Sequence, residues 1–156
     1  MKTLVAYFSA EHGRTAAVAA TLAEAIDADL FEIRPEKIYT SADLKYMNPM
    51  ARCNREKFGK KDVPVRDKVE NFDEYDRVLI GFPIWYGAAP NVVNTFCKDY
   101  DFTGKIVAAF ATSGGSGIGK SAAKLQPYVK GADVIDARLF RNAAAAELKD
   151  WADGLV

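Results

Sequence analysis

Apolar residues along the chain cluster into five short runs, each of strand length and none long enough to span a bilayer. Residues 3–8, 77–82 and 105–112 are almost continuously apolar and rich in β-branched and aromatic side chains, which is typical of strands buried on both faces. Residues 29–34 alternate between apolar and polar positions, and residues 133–140 form the last run. The pattern therefore predicts five strands.

Helix-forming stretches separate most of these strands. Residues 14–26, 91–100, 120–129 and 143–155 are rich in alanine or carry apolar residues at helical spacing. Pro127 is expected to interrupt the third helix, because proline removes a backbone hydrogen bond and clashes with the preceding turn.

The first helix should turn one face toward the sheet. Val18, Leu22, Ala25 and Ile26 recur at helical spacing and predict that face. Because this helix lies between two strands in the chain, the strands are expected to pair in parallel as a right-handed βαβ unit.

Residues 36–71 differ from the rest of the chain. They are polar, broken by Pro49 and Pro64, and show no regular strand pattern, although residues 41–44 and 48–58 have the composition of short helices. A segment of this length without strong structure inside a domain is usually functional. We expect either a cover over a binding site or a solvated excursion.

Together the elements predict a single α/β domain over residues 1–156, a three-layer sandwich with helices on both faces of a five-stranded parallel sheet. A doubly wound sheet of order 2-1-3-4-5 has its switch point between strands one and three, and ligands bind at the carboxyl ends of the strands there. Residues 9–15, 83–90 and 113–119 form the three loops at that edge. Their convergence is the main indication of a ligand site.

The first of these loops is polar or flexible at nearly every position. It leads from a buried strand into a strongly helix-forming segment. Backbone N–H groups and the positive end of the helix dipole should therefore lie close together at this loop. That arrangement suits a phosphate dianion; the alternative is an ordinary turn with Thr15 near the helix cap. The candidate residues are Ser9, Glu11, His12, Gly13, Arg14 and Thr15.

The other two loops suit the planar ring of a flavin. Trp85 and Tyr86 are adjacent and offer a stacking face, while Gly87 after them allows unusual backbone angles. Residues 113–117 are rich in glycine, so their backbone donors are open to the polar edge of such a ring. The alternative is that Trp85 and Tyr86 merely pack on the insert.

A second motif competes with the flavin hypothesis. Residues 114–121 match the Walker A pattern GxxxxGK[ST], with Lys120 and Ser121 in the two functional positions. A P-loop NTPase also needs a magnesium-binding aspartate on a neighbouring strand and switch elements. Only about 35 residues follow Ser121, and they offer Asp136 but nothing for the switches. We therefore rank this activity below flavin binding.

Neither a catalytic triad nor a metal site is expected. Ser9 lies in no nucleophile elbow, and Ser9, Glu11 and His12 are too close on a tight loop to orient as a triad. His12 is the only histidine, and no CxxC or HExxH motif accompanies it, so the sequence offers no metal-binding set.

The charge balance limits the classes of binding partner, and the cysteines indicate the cellular compartment. With 21 basic and 21 acidic residues the net charge is zero, which argues against nucleic acid or an anionic membrane as a partner. Cys53 and Cys97 are far apart and form no CxxC, so free thiols in a reducing cytosol are expected. No secretory leader pattern opens the sequence, and we expect a cytoplasmic protein.

Four segments resemble one family: YFSAEHGRT, GFPIWYGAAPNVVNTF, YDFTGK and ATSGGSGIG are similar to segments of the short bacterial flavodoxins and flavodoxin-like proteins. The resemblance covers nearly the whole chain and implies the flavodoxin-like fold, non-covalent FMN and one-electron transfer. By position, the residues that it assigns to FMN are Ser9, His12, Gly13, Arg14 and Thr15 at the phosphate, Pro83, Ile84, Trp85, Tyr86 and Gly87 over the ring, and Thr112, Ser113, Gly114 and Gly115 along its other edge.

Three features depart from the pattern of that family. The phosphate loop reads SAEHGRT rather than S-x-T-G-x-T, residues 113–117 lack the usual second aromatic side chain, and the chain is neutral rather than acidic. The segment NPMARCNRE resembles part of the insert of these relatives, so residues 48–55 are expected near the flavin.

The expected function is electron transfer between redox protein partners, a reductase and an acceptor. The alternatives are an FMN-dependent NAD(P)H:quinone-type reductase and a fold relative that has lost its cofactor.

Overall fold

The computed structural model describes most of the chain. The described residues are 1–10, 13–37, 44, 47, 50–52, 63–85, 88–112, 117–141 and 144–155. The strands are β1 (Thr3–Tyr7), β2 (Asp29–Glu32), β3 (Arg77–Pro83), β4 (Ile106–Thr112) and β5 (Val134–Leu139), and the α-helices are α1 (Arg14–Ile26), α2 (Asn91–Lys98), α3 (Ser121–Leu125) and α4 (Ala145–Asp153). Two short 3₁₀ helices cover Phe72–Glu74 and Gln126–Tyr128.

The five strands form one sheet in the order β2-β1-β3-β4-β5, and every neighbouring pair is parallel. This confirms the predicted flavodoxin-like α/β fold, including the strand order. β1, β3 and β4 lie side by side in the middle, so their carboxyl ends meet at one edge of the sheet. β2 and β5 are the outer strands.

Helices cover both faces of the sheet. Successive side chains of each central strand lie alternately on the two faces. On β1, Leu4 and Ala6 join the cluster that contains Phe96 of α2, whereas Val5 joins the cluster that contains Leu22 of α1. α3 lies on the α2 side, and α4 packs beside α1. Burial on both sides explains why the central strands read as unbroken apolar runs.

α1 has the predicted bounds, but its predicted inner face was only partly right. Leu22 is buried, whereas Val18, Ala25 and Ile26 are only partly buried. The buried positions are Thr15, Ala19, Leu22 and Ala23. Small side chains on this face allow α1 to lie close to the sheet, and the larger Val18 and Ile26 pack at the margin of the same cluster.

The third predicted helix ends early because of Pro127, as its sequence indicates. α3 stops at Leu125, and Gln126–Tyr128 continues as a 3₁₀ turn. Pro127 lies in this turn, where its missing N–H prevents the α-helical hydrogen-bond ladder from continuing. β3 extends one residue further than predicted, to Pro83, and the remaining strands and helices other than α1 shorten by one to four residues in total at their ends.

The described parts of the insert are fixed to the domain at both of its ends. Residues 34–36 and 64–66 are joined by two backbone hydrogen bonds of 3.0 and 2.7 Å around an antiparallel bridge between Pro35 and Val65. Arg52 is buried and donates to the Lys37 carbonyl at 2.7 Å. The predicted helices at 41–44 and 48–58 fall largely outside the described residues, and their place near a ligand stays a prediction.

Cys97 is a free cysteine, and burial among apolar side chains raises the pKa of its thiol. Its apolar surroundings mark it as a packing residue. Cys53 lies outside the described residues, so the expectation that it is a free thiol stays open. Within the described ranges, no helix has both the length and the apolar character that a bilayer crossing requires.

Candidate functional site

The candidate site lies where β1, β3 and β4 end. The loop after β1 begins with Phe8, whose N–H donates to the carbonyl of Gly81 on β3 at 2.9 Å. This bond keeps the start of the loop in line with the sheet. The polar residues that follow are therefore delivered beside the end of β3, at the switch point of the sheet.

A tight turn connects this loop to α1. The N–H of Gly13 donates to the Ala10 carbonyl at 3.1 Å, and Gly13 adopts a left-handed conformation with φ of 67°. A Cβ at Gly13 would meet no atom within 4 Å, so its backbone angle rather than its space favours glycine. Gly13 is also the N-cap of α1, and Thr15, the second residue of the helix, lies near this cap.

Ser9 reaches across this turn to the helix. The N–H of Ala16 donates to Ser9 Oγ at 3.3 Å, so one lone pair of this hydroxyl is used by the first turn of α1. The hydroxyl proton of Ser9 remains available for an acceptor outside the helix. Arg14 lies exposed in the same helical turn and adds a positive charge to the positive end of the helix dipole.

Thr15 is buried to 1% exposure, and its Oγ1 lies 2.7 Å from Oγ1 of Thr112 at the end of β4. Sequence reasoning placed these residues in two different parts of the site, Thr15 at a phosphate and Thr112 at a ring. The structure brings their hydroxyls together across 97 positions of the chain. The first turn of α1 and the end of β4 are thus in direct contact.

The loop after β3 is tied to the same strand end. The N–H of Ile84 donates to the carbonyl of Thr112 at 2.9 Å. Trp85 and Ala88 exchange two backbone hydrogen bonds of 2.9 and 3.1 Å. These bonds hold the two residues together after the end of β3.

Trp85 is partly buried and meets Phe8 edge to face, with ring centroids 5.6 Å apart and planes at 89°. This contact packs the indole against the cluster that contains β1. Sequence reasoning missed Phe8 as the support of Trp85. The available signal was the alternation along β1, because Leu4, Ala6 and Phe8 share one side of the strand and join the same cluster.

The described residues of the Walker-like segment do not support the NTPase hypothesis. Ser121 is fully buried, and its hydroxyl donates to the Ile118 carbonyl at 2.5 Å, so it is not placed to bind magnesium. The helix that follows, Ser121–Leu125, has only five residues, so its dipole is small. Lys120 precedes it as an exposed N-cap residue.

Seven predicted site residues fall outside the described residues, and their roles stay predictions: Glu11, His12, Tyr86, Gly87, Ser113, Gly114 and Gly115. The described members of the predicted set, Ser9, Gly13, Arg14, Thr15, Pro83, Ile84, Trp85 and Thr112, all lie at the carboxyl edge of the three central strands. In the described part of the chain no group of three or more histidine, cysteine, aspartate or glutamate side chains could hold a metal ion.

The donor set matches a phosphorylated planar ligand. Ser9 and Thr15 supply hydroxyls, Arg14 supplies a cation, and the 13-residue α1 supplies a positive helix end. Trp85 supplies an apolar ring beside them. An anion and a flat aromatic surface are the two chemical features of a flavin mononucleotide, so the residues present fit FMN.

Fold and site together define a doubly wound α/β protein with hydroxyl, cationic and aromatic side chains at its switch point. A family model described as flavodoxin matches residues 2–155. The chain belongs to the flavodoxin family. Membership confirms the resemblance seen in the sequence and, at the level of the family, the expected cofactor FMN.

Solved structures agree with this membership. A protein provisionally described as a flavoprotein from Bacteroides eggerthii is 41% identical, with a TM-score of 0.92 over 99% of this chain and 97% of its own. A similarly described protein from Bacteroides uniformis is 42% identical, with a TM-score of 0.90 over 97% of each chain. A flavoprotein from Lactobacillus acidophilus, solved in complex with FMN, is 25% identical, with a TM-score of 0.73 over 97% of this chain and 98% of its own. No curated protein matches the chain.

Proposed function

We propose that this flavodoxin-family protein binds FMN non-covalently and carries electrons between a reductase and an acceptor protein. The observation that carries the proposal is the pair of contacts made by Thr112, the last residue of β4, with Thr15 at the start of α1 and with Ile84 after β3. These contacts join the start of α1 and the ends of β3 and β4 at one edge of the sheet. The relative from Lactobacillus acidophilus, with FMN bound, supports the choice of ligand.

In this proposal the phosphate group is held by the turn between β1 and α1. Ser9 and Thr15 donate hydroxyl protons, and Arg14 and the positive end of α1 balance the negative charge. Gly13 in its left-handed conformation shapes the turn so that the helix begins directly beside the strand end. Glu11 and His12 complete the predicted set.

The ring system belongs beside the aromatic loop. Trp85 contributes a stacking face and excludes water from that side, while Phe8 holds its indole in place. Pro83 and Ile84 position the loop, and Tyr86 and Gly87 complete the predicted set on this side of the ring. The glycine-rich residues 113–115 line the opposite edge through their backbone.

FMN supplies the redox chemistry when it is bound, since a flavin accepts and releases electrons singly or in pairs. The protein residues bind, orient and shield it. The net charge of zero offers no strong electrostatic steering toward a highly charged partner. The neutral charge favours a second candidate function, that of an FMN-dependent NAD(P)H:quinone-type reductase, because its small substrates need no electrostatic steering.

Two measurements test the proposal. Apo-protein titrated with FMN should develop the visible absorbance and quenched fluorescence of a bound flavin; if FMN adds to the solution spectrum without either change, the protein is no flavoprotein. Holo-protein mixed with NADPH or NADH and a quinone should then oxidise the nicotinamide slowly unless a separate reductase is added. Rapid oxidation without that reductase would establish the enzyme rather than the carrier. A cytoplasmic location, consistent with the buried free thiol of Cys97, is part of the same proposal.

A further inference from the structure

Thr112 makes two different contacts at the end of β4. Its carbonyl accepts the N–H of Ile84 at 2.9 Å, and its hydroxyl lies 2.7 Å from that of Thr15. Both threonines are buried, Thr112 to 4% and Thr15 to 1% exposure. The side chain of Thr112 is therefore engaged with the first turn of α1, whereas its position in the sequence suggested a place along the edge of the ring.

The hydroxyls of Thr15 and Thr112 carry two protons, and the hydrogen bond between them uses only one. Each threonine hydroxyl carries one proton and two lone pairs, and either oxygen of this pair can be the donor. If an anion accepts the proton of Thr15, then Thr15 Oγ1 must accept from Thr112. Donation by Thr112 also polarises the Thr15 hydroxyl and makes it a stronger donor.

We propose that Thr112 is a positioning residue for the phosphate group: its hydroxyl donates to Thr15 and thereby directs the Thr15 proton toward the anion. This inference rests on the proposed FMN site. It assigns the side chain of Thr112 to the phosphate end of the ligand, although the residue belongs to the strand that precedes the ring-lining loop. Thr112 acts only through Thr15 and does not touch the ligand.

The test compares FMN with riboflavin, which lacks the phosphate, by measuring the dissociation constants of both for apo-protein. Thr112→Val removes the hydroxyl but keeps the shape of the side chain and the backbone carbonyl that Ile84 uses. It should weaken FMN binding about three- to tenfold, the worth of one buried hydrogen bond, and leave riboflavin binding unchanged. Thr112→Ser keeps the hydroxyl and should bind FMN nearly as tightly as the parent.

Two further variants separate positioning from mere stability. Thr3 is a matched control, because it is also 4% exposed and accepts a hydrogen bond from Arg77, but at the opposite end of the sheet. Thr3→Val should lower the unfolding midpoint without changing either dissociation constant. The double variant Thr15→Val, Thr112→Val should bind FMN no more weakly than Thr15→Val alone, because Thr112 acts through Thr15.

Each contrary result has its own signature. Equal losses of FMN and riboflavin in Thr112→Val would return this side chain to the edge of the ring and overturn the inference. So would a lower unfolding midpoint with both affinities intact, or additive losses in the double variant. If the parent protein binds neither ligand, both the proposed function and this inference are refuted. That result comes from the parent protein alone and so is distinguishable from every Thr112 result.

Discussion

The indole of Trp85 stands at 89° to the ring of Phe8, with the two centroids 5.6 Å apart. Phe8 is only 2% exposed and belongs to the cluster between the sheet and α2, so it offers Trp85 a fixed support. An aromatic side chain with a fixed support loses little rotational freedom when a ligand packs against it, so Trp85 is preorganised for binding.

Trp85→Ala should therefore weaken FMN and riboflavin alike. Loss of a stacking face is worth about 1–3 kcal/mol, which corresponds to about one to two decades in both dissociation constants. Fluorescence titration measures this directly. Trp151 is the control: it lies on the other face of the sheet with its indole N–H bonded to Asp136, and Trp151→Phe should leave both affinities unchanged. A loss restricted to FMN would place Trp85 away from the ring.

Ser9→Ala should distinguish the two ligands. Ser9 Oγ already accepts the N–H of Ala16, so its proton is the group available to a phosphate. A hydrogen bond to a charged group is worth about 1.5–3 kcal/mol, and FMN should bind about one to two decades more weakly, with riboflavin little changed. Thr21→Ala is the matched control, since the Thr21 hydroxyl only donates to Ala17 further along α1. Unchanged FMN binding in Ser9→Ala would remove Ser9 from the phosphate site.

Gly13→Ala should destabilise the apo-protein. The φ of 67° is unfavourable for a residue with a Cβ by about 1–2 kcal/mol, and nothing nearby would compensate, because the added atom meets open space. Chemical denaturation should show that loss. Gly117 is also surrounded by open space but has no positive φ, so Gly117→Ala should be neutral or slightly stabilising. Equal effects of the two changes would show that the turn at Gly13 carries no backbone strain.

Gly81→Ala tests the middle of the sheet. A Cβ at Gly81 would lie 2.2 Å from Cζ of Phe110 on the neighbouring strand, so the ring must move. Overpacking of this kind costs about 1–3 kcal/mol of unfolding free energy. Adding Phe110→Leu to Gly81→Ala should recover part of the loss relative to the sum of the two single changes. Strict additivity in the double-mutant cycle would mean that the ring is not the obstacle.

Tyr75 predicts a loss of stability at alkaline pH. Burial, and then the hydrogen bond of 2.6 Å to Asp29, raise the pKa of the Tyr75 hydroxyl to about 12. Between pH of about 10, where an unfolded tyrosine titrates, and about 12, the folded state binds more protons than the unfolded state. The free energy of unfolding should therefore fall as the pH rises through this range. Tyr75→Phe should show a shallower fall in urea denaturation; parallel profiles for parent and variant would contradict the raised pKa.

Local patterns were sufficient for the secondary structure and for the layout of the sheet. Unbroken apolar runs occur in strands buried on both faces, so the runs around Val5, Leu79 and Ala108 could be recognised one at a time. The helices between strands impose parallel pairing, and the handedness of such connections leaves few strand orders. α1 has the bounds that its residues indicated, because its strong helix formers follow directly on Gly13, whose backbone begins the helix.

Contacts between side chains distant in the sequence required the tertiary structure. Thr15 and Thr112 meet because α1 follows β1 and crosses the sheet toward β4, which lies two strands from β1. Neither segment of the sequence specifies this contact by itself. The same holds for Phe8 and Trp85, which depend on the register between β1 and β3. Local sequence fixes the direction of the backbone, but the direction of a side chain at a strand end depends on packing between strands. Sequence reasoning therefore pointed to the edge of the sheet where these residues lie and missed the hydroxyl pair that joins the start of α1 to the end of β4.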